Sequence, residues 1–175
     1  MTSLSAIESA PNAASGRIDP LALRGVFGRF ATGVTVVTAV APDGERAGVT
    51  VNSFNTLSLD PPLILWSLAL HAASLPVFRA ADRFAVNILA DDQAAIARQF
   101  ARPAPDKFVG VALKPGLGDM LLIEGAIAHI ECAVARRDPG GDHELYIGQV
   151  LRASATDGGP LVYARGGFGQ YGPLA

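Results

Sequence analysis

A mainly β fold, a small barrel with a few short peripheral helices, is what this sequence predicts, and three observations carry the prediction. Six or seven stretches alternate in polarity or run in β-branched residues over strand lengths. Tight-turn chemistry separates them, as in Pro42-Asp43-Gly44, Asp60-Pro61-Pro62 and Asp138-Pro139-Gly140-Gly141. Helical periodicity is confined to two or three short segments, too few to serve as the crossovers of a wound parallel sheet. At 175 residues the chain is long enough for one domain with its own core, and no internal repeat divides it.

Met1 to Gly16 is rich in Ser, Ala, Asn and Pro and lacks both the basic start and the apolar run of a signal peptide. It reads as a disordered or loosely attached arm, with the single domain over residues 17–175. Asp19-Pro20 is a cap followed by proline at the first helical position, and Leu23, Val26, Phe27 and Phe30 share one face, predicting a helix from Pro20 to Ala31. Gly33 ends it, and Val34 to Val40 is a β-branched strand. The Pro42-Asp43-Gly44 turn joins that strand to one beginning near Arg46, making a hairpin.

In that second strand Ala47, Val49 and Val51 fall on one side and Gly48, Thr50 and Asn52 on the other. Past Ser53 and Phe54, the hydroxyls and amides of Asn55, Thr56 and Ser58 form a short loop before Asp60-Pro61-Pro62, and Leu63 to Leu68 resumes as a buried strand. Such a polar shelf between two apolar strands suits a ligand, and it suits a solvated turn equally. Ser74 is placed to cap a helix over Leu75 to Ala81, with Pro76 in its first turn. Phe84 to Leu89 is a strand, and Asp91 or Asp92 caps a helix in which Ile96 and Phe100 share a face.

Prolines and glycines make Pro103 to Gly118 a loop, of a length that in compact domains is usually functional or mobile. Glu124 to Arg137 alternates as a strand, His143 to Ala153 is its partner across the Asp138 to Gly141 turn, and Leu161-Val162-Tyr163 is a last strand before a glycine-rich tail.

Composition excludes several classes of function. A net charge of −2 with no basic stripe gives nothing to attract a nucleic-acid backbone. The most apolar window, Pro61 to Phe78, is broken by prolines, His71 and serines, so no membrane span is expected. One cysteine, Cys132, allows neither a disulfide framework nor a multi-cysteine zinc site and fits a reducing cytoplasm. Only 17% of residues are charged while 50% are hydrophobic, so a homodimer covering apolar surface is expected. Gly167-Phe168-Gly169-Gln170-Tyr171-Gly172 fits G-x-G-x-x-G, but Pro173 follows directly, leaving no helix to meet a dinucleotide phosphate. His71, His129 and His143 lack ligand spacing, so no metal is expected. Cys132 reads as a core residue rather than a nucleophile. His143 follows Asp142, an acid that can fix its tautomer, although a plain turn histidine has the same setting.

Six ordered blocks then carry a resemblance. Phe30-Ala31-Thr32-Gly33-Val34-Thr35-Val36-Val37-Thr38, Thr50-Val51-Asn52-Ser53-Phe54, Ser58-Leu59-Asp60-Pro61-Pro62, Phe84-Ala85-Val86-Asn87-Ile88-Leu89, Gly141-Asp142-His143 and Tyr146-Ile147-Gly148 resemble the flavin reductase family, over about Leu23 to Tyr171. More narrowly, the chain is similar to the small reductase components of two-component flavin-dependent monooxygenases. The resemblance implies an FMN-binding split β-barrel of Greek-key type, dimeric, with flavin near the subunit interface. It implies that NADH or NADPH reduces FMN or FAD and that reduced flavin passes to a partner oxygenase.

Carried over by position, the resemblance implies that Thr50, Val51, Asn52, Ser53, Phe54, Asn55 and Thr56 line the flavin, with Ser67 on the facing strand. His71, Ala72 and Ser74 approach its phosphate, and Phe100 and Ala101 close the other side. His143, with Phe168, Gly169, Gln170 and Tyr171, contacts the nicotinamide nucleotide. The chain departs from the family pattern at Gly118-Asp119-Met120, where relatives carry Gly-x-Pro, and at Phe168, where a tyrosine is common. Hydride transfer between two cofactors needs no protein nucleophile, which agrees with the lack of a triad in the sequence. A split barrel holding FMN tightly, as an oxidase or electron-transfer protein, or a non-catalytic flavin-binding module, are the rival readings.

Overall fold

The structure, a computed structural model, describes residues 18–173. The arm expected over Met1 to Gly16 lies outside them. In chain order the elements are α1 (Pro20–Phe27), β1 (Thr32–Gly33), β2 (Thr35–Val40), β3 (Arg46–Val51), β4 (Asn55–Leu59) and β5 (Pro62–Ala69). Then come α2 (Leu75–Ala80), β6 (Arg83–Ile88), α3 (Ala94–Ala101), β7 (Leu113–Pro115), β8 (Leu121–Ile123), β9 (Ala128–Gly140), β10 (His143–Ala155), β11 (Leu161–Ala164) and β12 (Gly167–Gln170).

The main sheet has seven strands in the order β3-β2-β6-β9-β10-β5-β4. Its two edges, β3 and β4, are consecutive in sequence and joined by residues 52–54 alone. A connection of three residues reaches only about 10–14 Å, so the sheet has to roll until its edges approach. Ser53 pins the approach: its Oγ accepts from Ser67 N at 3.0 Å and donates to Ser67 O at 3.3 Å, tying the corner to β5. The result is a barrel split along the line between β3 and β4, the mainly β architecture expected.

Inside the roll, Trp66 stacks on Tyr146 at 4.6 Å, with Phe78 and Phe84 edge-on to Trp66. Against the opposite face, Phe100 of α3 and Phe108 pack with Val36, Leu89 and Leu161. This second face also carries buried polar groups. Asn87 donates to Val36 O and accepts from Ile123 N, Thr38 donates to Leu121 O, and His129 Nε2 lies 2.8 Å from Ile123 O. They fasten the β7–β8 hairpin and its flanking loops to the sheet, so the polar side of β9 is interior rather than solvated.

Several elements differ from expectation. The expected loop at Asn55, Thr56 and Ser58 is the edge strand β4, bonded on one side only and bulged between Thr56 and Ser58, which frees it from strict alternation. Helix α1 stops at Phe27 rather than Ala31 because Gly28 takes the C-cap position. Ser74 already has helical φ and ψ, so its hydroxyl does not cap α2. Gln93, not Asp91 or Asp92, stands at the start of α3, and its side chain instead bridges Ala90 N and Glu124 O. The turn after β9 is one step later than expected, at Gly141 with φ +73° and Asp142. Short pieces were missed at β7 and β8, within and just after the proline-rich loop, and at β12, where Arg165 and Gly166 at positive φ turn the tail into a hairpin.

Candidate functional site

The outer edge of β3 borders a cavity of about 990 Å³. Its walls are residues 44–49, the approach to α2 from His71 to Ser74, and the segment after α3 from Ala101 to Phe108. Glu45 O accepts from Ala41 N across the hairpin. By the two-residue alternation of an antiparallel edge, the main-chain groups of Arg46, Gly48 and Thr50 therefore face away from β2, toward solvent and cavity. An edge strand with open donors and acceptors is a ready template for the amide-like rim of a planar heterocycle.

Two cations belong to this cavity. Lys107 Nζ donates to Gly48 O at 3.2 Å and to Phe100 O at 2.9 Å, and burial lowers its pKa from the ordinary lysine value. Arg46 pairs with Asp106 at 2.7 Å and lies 4.8 Å over the Phe108 ring. Gly48 makes the arrangement possible, since a Cβ there would stand 2.3 Å from the Phe100 ring. Ser74, its hydroxyl not engaged in capping, and the small residues Ala72 and Ala101 complete a wall open to a bulky group.

Of the residues expected to hold flavin, His71, Ala72, Ser74 and Ala101 come together in this cavity. Phe100 does not line it: the ring is buried beneath Gly48 and packs edge-on to Phe108 at 5.1 Å. Thr50 and Val51 finish β3, with Val51 turned into the core. Thr50 Oγ1 donates to Ala97 O at 2.7 Å and Ser53 Oγ bonds Ser67, so these two hydroxyl protons serve the scaffold, while the outward main chain of Thr50 stays available. Phe54 packs against the core, and Asn52, Asn55 and Thr56 are exposed along the split.

The nicotinamide candidates fall in two places. Nδ1 of His143 lies 2.7 Å from Asp142 Oδ1, and this hydrogen bond holds the Asp142 carboxyl below its ordinary pKa, with a lesser contribution from the nearby His71. An ionised carboxylate only accepts, so Nδ1 carries the proton and Nε2 is the nitrogen left for a ligand. Leu70 N donates to Asp142 O at 2.9 Å, which binds this turn to the segment leading to His71. Phe168, Gly169 and Gln170 lie on β12 and Tyr171 just beyond it, on the other side of α3; Arg98 lies 5.2 Å over the Phe168 ring and Gln170 donates to Asp91. Within one chain they do not meet His143.

Arg46, Gly48 and Lys107 are site residues that sequence reasoning missed. Asp106-Lys107-Phe108 stood out between prolines and glycines, but nothing local says that the lysine folds back under an edge strand. Among the described residues no cluster of His, Cys, Asp and Glu is placed to hold a metal ion, and no helix is long and apolar enough to cross a membrane. Cys132 is buried in the core, and burial pushes its thiol pKa up to about 12.

Comparison with known proteins identifies the family. The chain is 41% identical over 148 residues to the FMN reductase (NADH) SmoA of Agrobacterium fabrum, covering 85% of this chain and 84% of that protein. It is 39% identical over 156 residues to the reductase component of the 4-nitrophenol 4-monooxygenase/4-nitrocatechol 2-monooxygenase of Rhodococcus opacus, covering 89% and 83%. Among solved structures, the NADH:FAD oxidoreductase SgcE6 of Streptomyces globisporus, in complex with NAD and FAD fragments, superposes with a TM-score of 0.85 at 39% identity, covering 90% and 95%. Other relatives are longer, and of these the chain spans about half, 48% in one case and 52% in another. The model of the flavin reductase like domain matches residues 27–172, nearly all of the described fold, and the chain therefore belongs to the flavin reductase-like family.

Proposed function

We propose that the chain is an NAD(P)H-dependent flavin reductase that takes up FMN or FAD, reduces it, and gives the reduced flavin to a separate flavin-dependent monooxygenase. The observation that carries this reading is the cavity along β3, where an open strand edge and the half-buried Lys107 ammonium share one wall. Those residues fit a flavin: main-chain groups of Arg46, Gly48 and Thr50 for the ring edge, Lys107 with Ser74 and His71 for the phosphate. When bound, the two cofactors supply the redox chemistry, a hydride passing from the nicotinamide to the flavin.

The protein contributes position and charge. Its β3 edge and the corner from Thr50 to Thr56 would hold the flavin ring, and His143, with its tautomer fixed by Asp142, would position the nicotinamide against it. Main-chain N–H groups on the open edge would stabilise negative charge on a bound flavin. A single domain from residue 17 onward does this, and the protein is cytoplasmic, with no nucleic acid or membrane as partner.

The working unit is a homodimer. Leu59 on β4, Phe30 and Leu21 are 94%, 77% and 75% exposed in one chain, and Leu59 lies on the same edge as Asn55 and Thr56. A second subunit covering that edge would shelter the split and bring in a Phe168 to Tyr171 tail. The test crosses NADH and NADPH with FMN and FAD in steady-state assays of nicotinamide consumption. Turnover that depends on added flavin is expected. Turnover on a tightly retained FMN, indifferent to added flavin, points to the oxidase reading, and no consumption with any pair rules out reductase activity.

A further inference from the structure

The last turn of α3 ends beside the β3 cavity and carries Gln99, a half-buried amide. Its Nε2 donates to Lys107 O at 2.8 Å and to Val109 O at 2.9 Å. A primary amide nitrogen has two hydrogens, so both are committed to one short stretch of main chain. Asp106 folds the same stretch from within, its Oδ1 accepting from Phe108 N at 2.9 Å, and Gly110 at φ +74° closes it.

Lys107 is thereby gripped at both ends by a single helix turn. Gln99 holds its carbonyl, and Phe100, the next residue, accepts from its ammonium at 2.9 Å. The helix is itself registered on β3, because Thr50 Oγ1 donates to Ala97 O at 2.7 Å. Of the three N–H donors on the ammonium, Gly48 O and Phe100 O take two, which leaves one for a ligand. A lysine on its flexible stem gives up rotamer entropy when it binds an anion. With main chain and head both fixed beforehand, that loss falls on folding and not on the ligand. Gln99 does not line the cavity, so any effect it has on a bound group passes through Lys107.

We propose that Gln99 is a positioning residue for the flavin phosphate, holding the Lys107 main chain so that the ammonium waits at the cavity wall in its binding position. The inference rests on the reading of Lys107 as a phosphate donor and deepens it. A glutamine that only satisfied two loop carbonyls would serve stability alone, and would not distinguish a ligand with a phosphate from one without.

The test is equilibrium binding to the purified full-length protein, followed by flavin fluorescence, with FMN and with riboflavin, which has the same ring and ribityl chain but no phosphate. Gln99→Met, matched in length but without donors, is expected to raise the Kd for FMN about tenfold and to leave that for riboflavin within about twofold. The riboflavin titration shows at the same time that the variant is folded; Gln99→Asn, too short to reach both carbonyls, gives the same readout should the methionine variant fail to fold. Placed on a Lys107→Met background, Gln99→Met should cause no further loss of FMN affinity, since a residue that acts through another has no effect once the other is gone. Equal weakening of both ligands, no weakening of either, or a full second loss on the Lys107→Met background overturns the assignment of Gln99 and leaves the reductase reading standing. If Lys107→Met itself weakens FMN no more than riboflavin, the phosphate reading of Lys107 falls and this assignment with it. If the unaltered protein binds neither ligand, the reductase reading itself falls.

Discussion

The ammonium of Lys107 donates to the carbonyl of Gly48, 3.2 Å away on the open edge of β3. A residue after α3 thereby holds a positive charge against an edge strand whose outward main chain is free to meet a ligand. Phe100 O, at 2.9 Å, fixes the ammonium from the helix side. Burial lowers the Lys107 pKa, which is the cost of keeping this cation beneath the cavity.

Replacing Lys107 by methionine keeps the length and apolar packing of the stem and removes the charge. Flavin affinity is expected to fall by about tenfold to a hundredfold for FMN and FAD alike, as when one charged hydrogen-bond partner of a phosphate is lost. In the unaltered protein the charged form binds the phosphate, so affinity should decline as pH rises through the lowered Lys107 pKa. Fluorescence titrations across alkaline pH should show this decline in the unaltered protein and its absence in Lys107→Met.

His143→Ala is expected to raise KM for the nicotinamide nucleotide while the flavin Kd stays unchanged, since His143 is partly exposed at the start of β10 and does not line the β3 cavity. Asp142→Asn, which removes the anion that fixes the tautomer, should produce a smaller effect in the same direction. Steady-state kinetics at saturating flavin, with separate flavin titrations, separate the two binding events. Loss of flavin binding with an unchanged nucleotide KM would reverse the assignment.

Gly48→Ala should harm both stability and flavin binding. The added Cβ would fall 2.3 Å from one Phe100 ring carbon and 3.3 Å from Phe108, both buried and packed edge-on to each other. Overpacking of this kind costs about 1–3 kcal/mol, and relief by moving α3 would also move Ala101 and Lys107. Chemical denaturation and flavin titration of the same variant should show both losses.

Much of this was legible in the sequence. Alternation along β3, the apolar run of β5 and the turn chemistry at Pro42-Asp43-Gly44 gave the strands their places, because one buried face and one tight turn leave few options. Edge strand β4 was not legible: bonded on one side and exposed, it needs no apolar alternation. The structure brings His71, Ala72, Ser74 and Ala101, which the resemblance groups around a flavin, to one cavity, whereas Phe100, grouped with them, is buried beneath it. Lys107 was out of reach, since its position depends on a loop folding back over the sheet, a long-range outcome that no local pattern encodes.

Glu131 gives the fold a pH dependence of known sign. Its carboxylate is 2% exposed, accepts from Arg152 and from Leu117 N, and holds the loop before β8 to the sheet. Burial alone would raise its pKa, but the Arg152 guanidinium and the Leu117 N–H together outweigh that and leave it lowered. With the folded pKa below the unfolded value, the stabilisation is present above the unfolded pKa and is lost as pH falls through the folded one. Glu131→Gln should cost about 2 kcal/mol at neutral pH, less than a fully buried pair because Arg152 is half exposed, and should flatten the acid limb of the stability profile.

Anaerobic mixing of the purified protein with free flavin and a nicotinamide donor, followed at the oxidised-flavin absorbance band, addresses the central claim most directly. The band is expected to bleach at a rate proportional to protein concentration, with one nicotinamide consumed per flavin. A band that persists with both flavins and both nucleotides would contradict it.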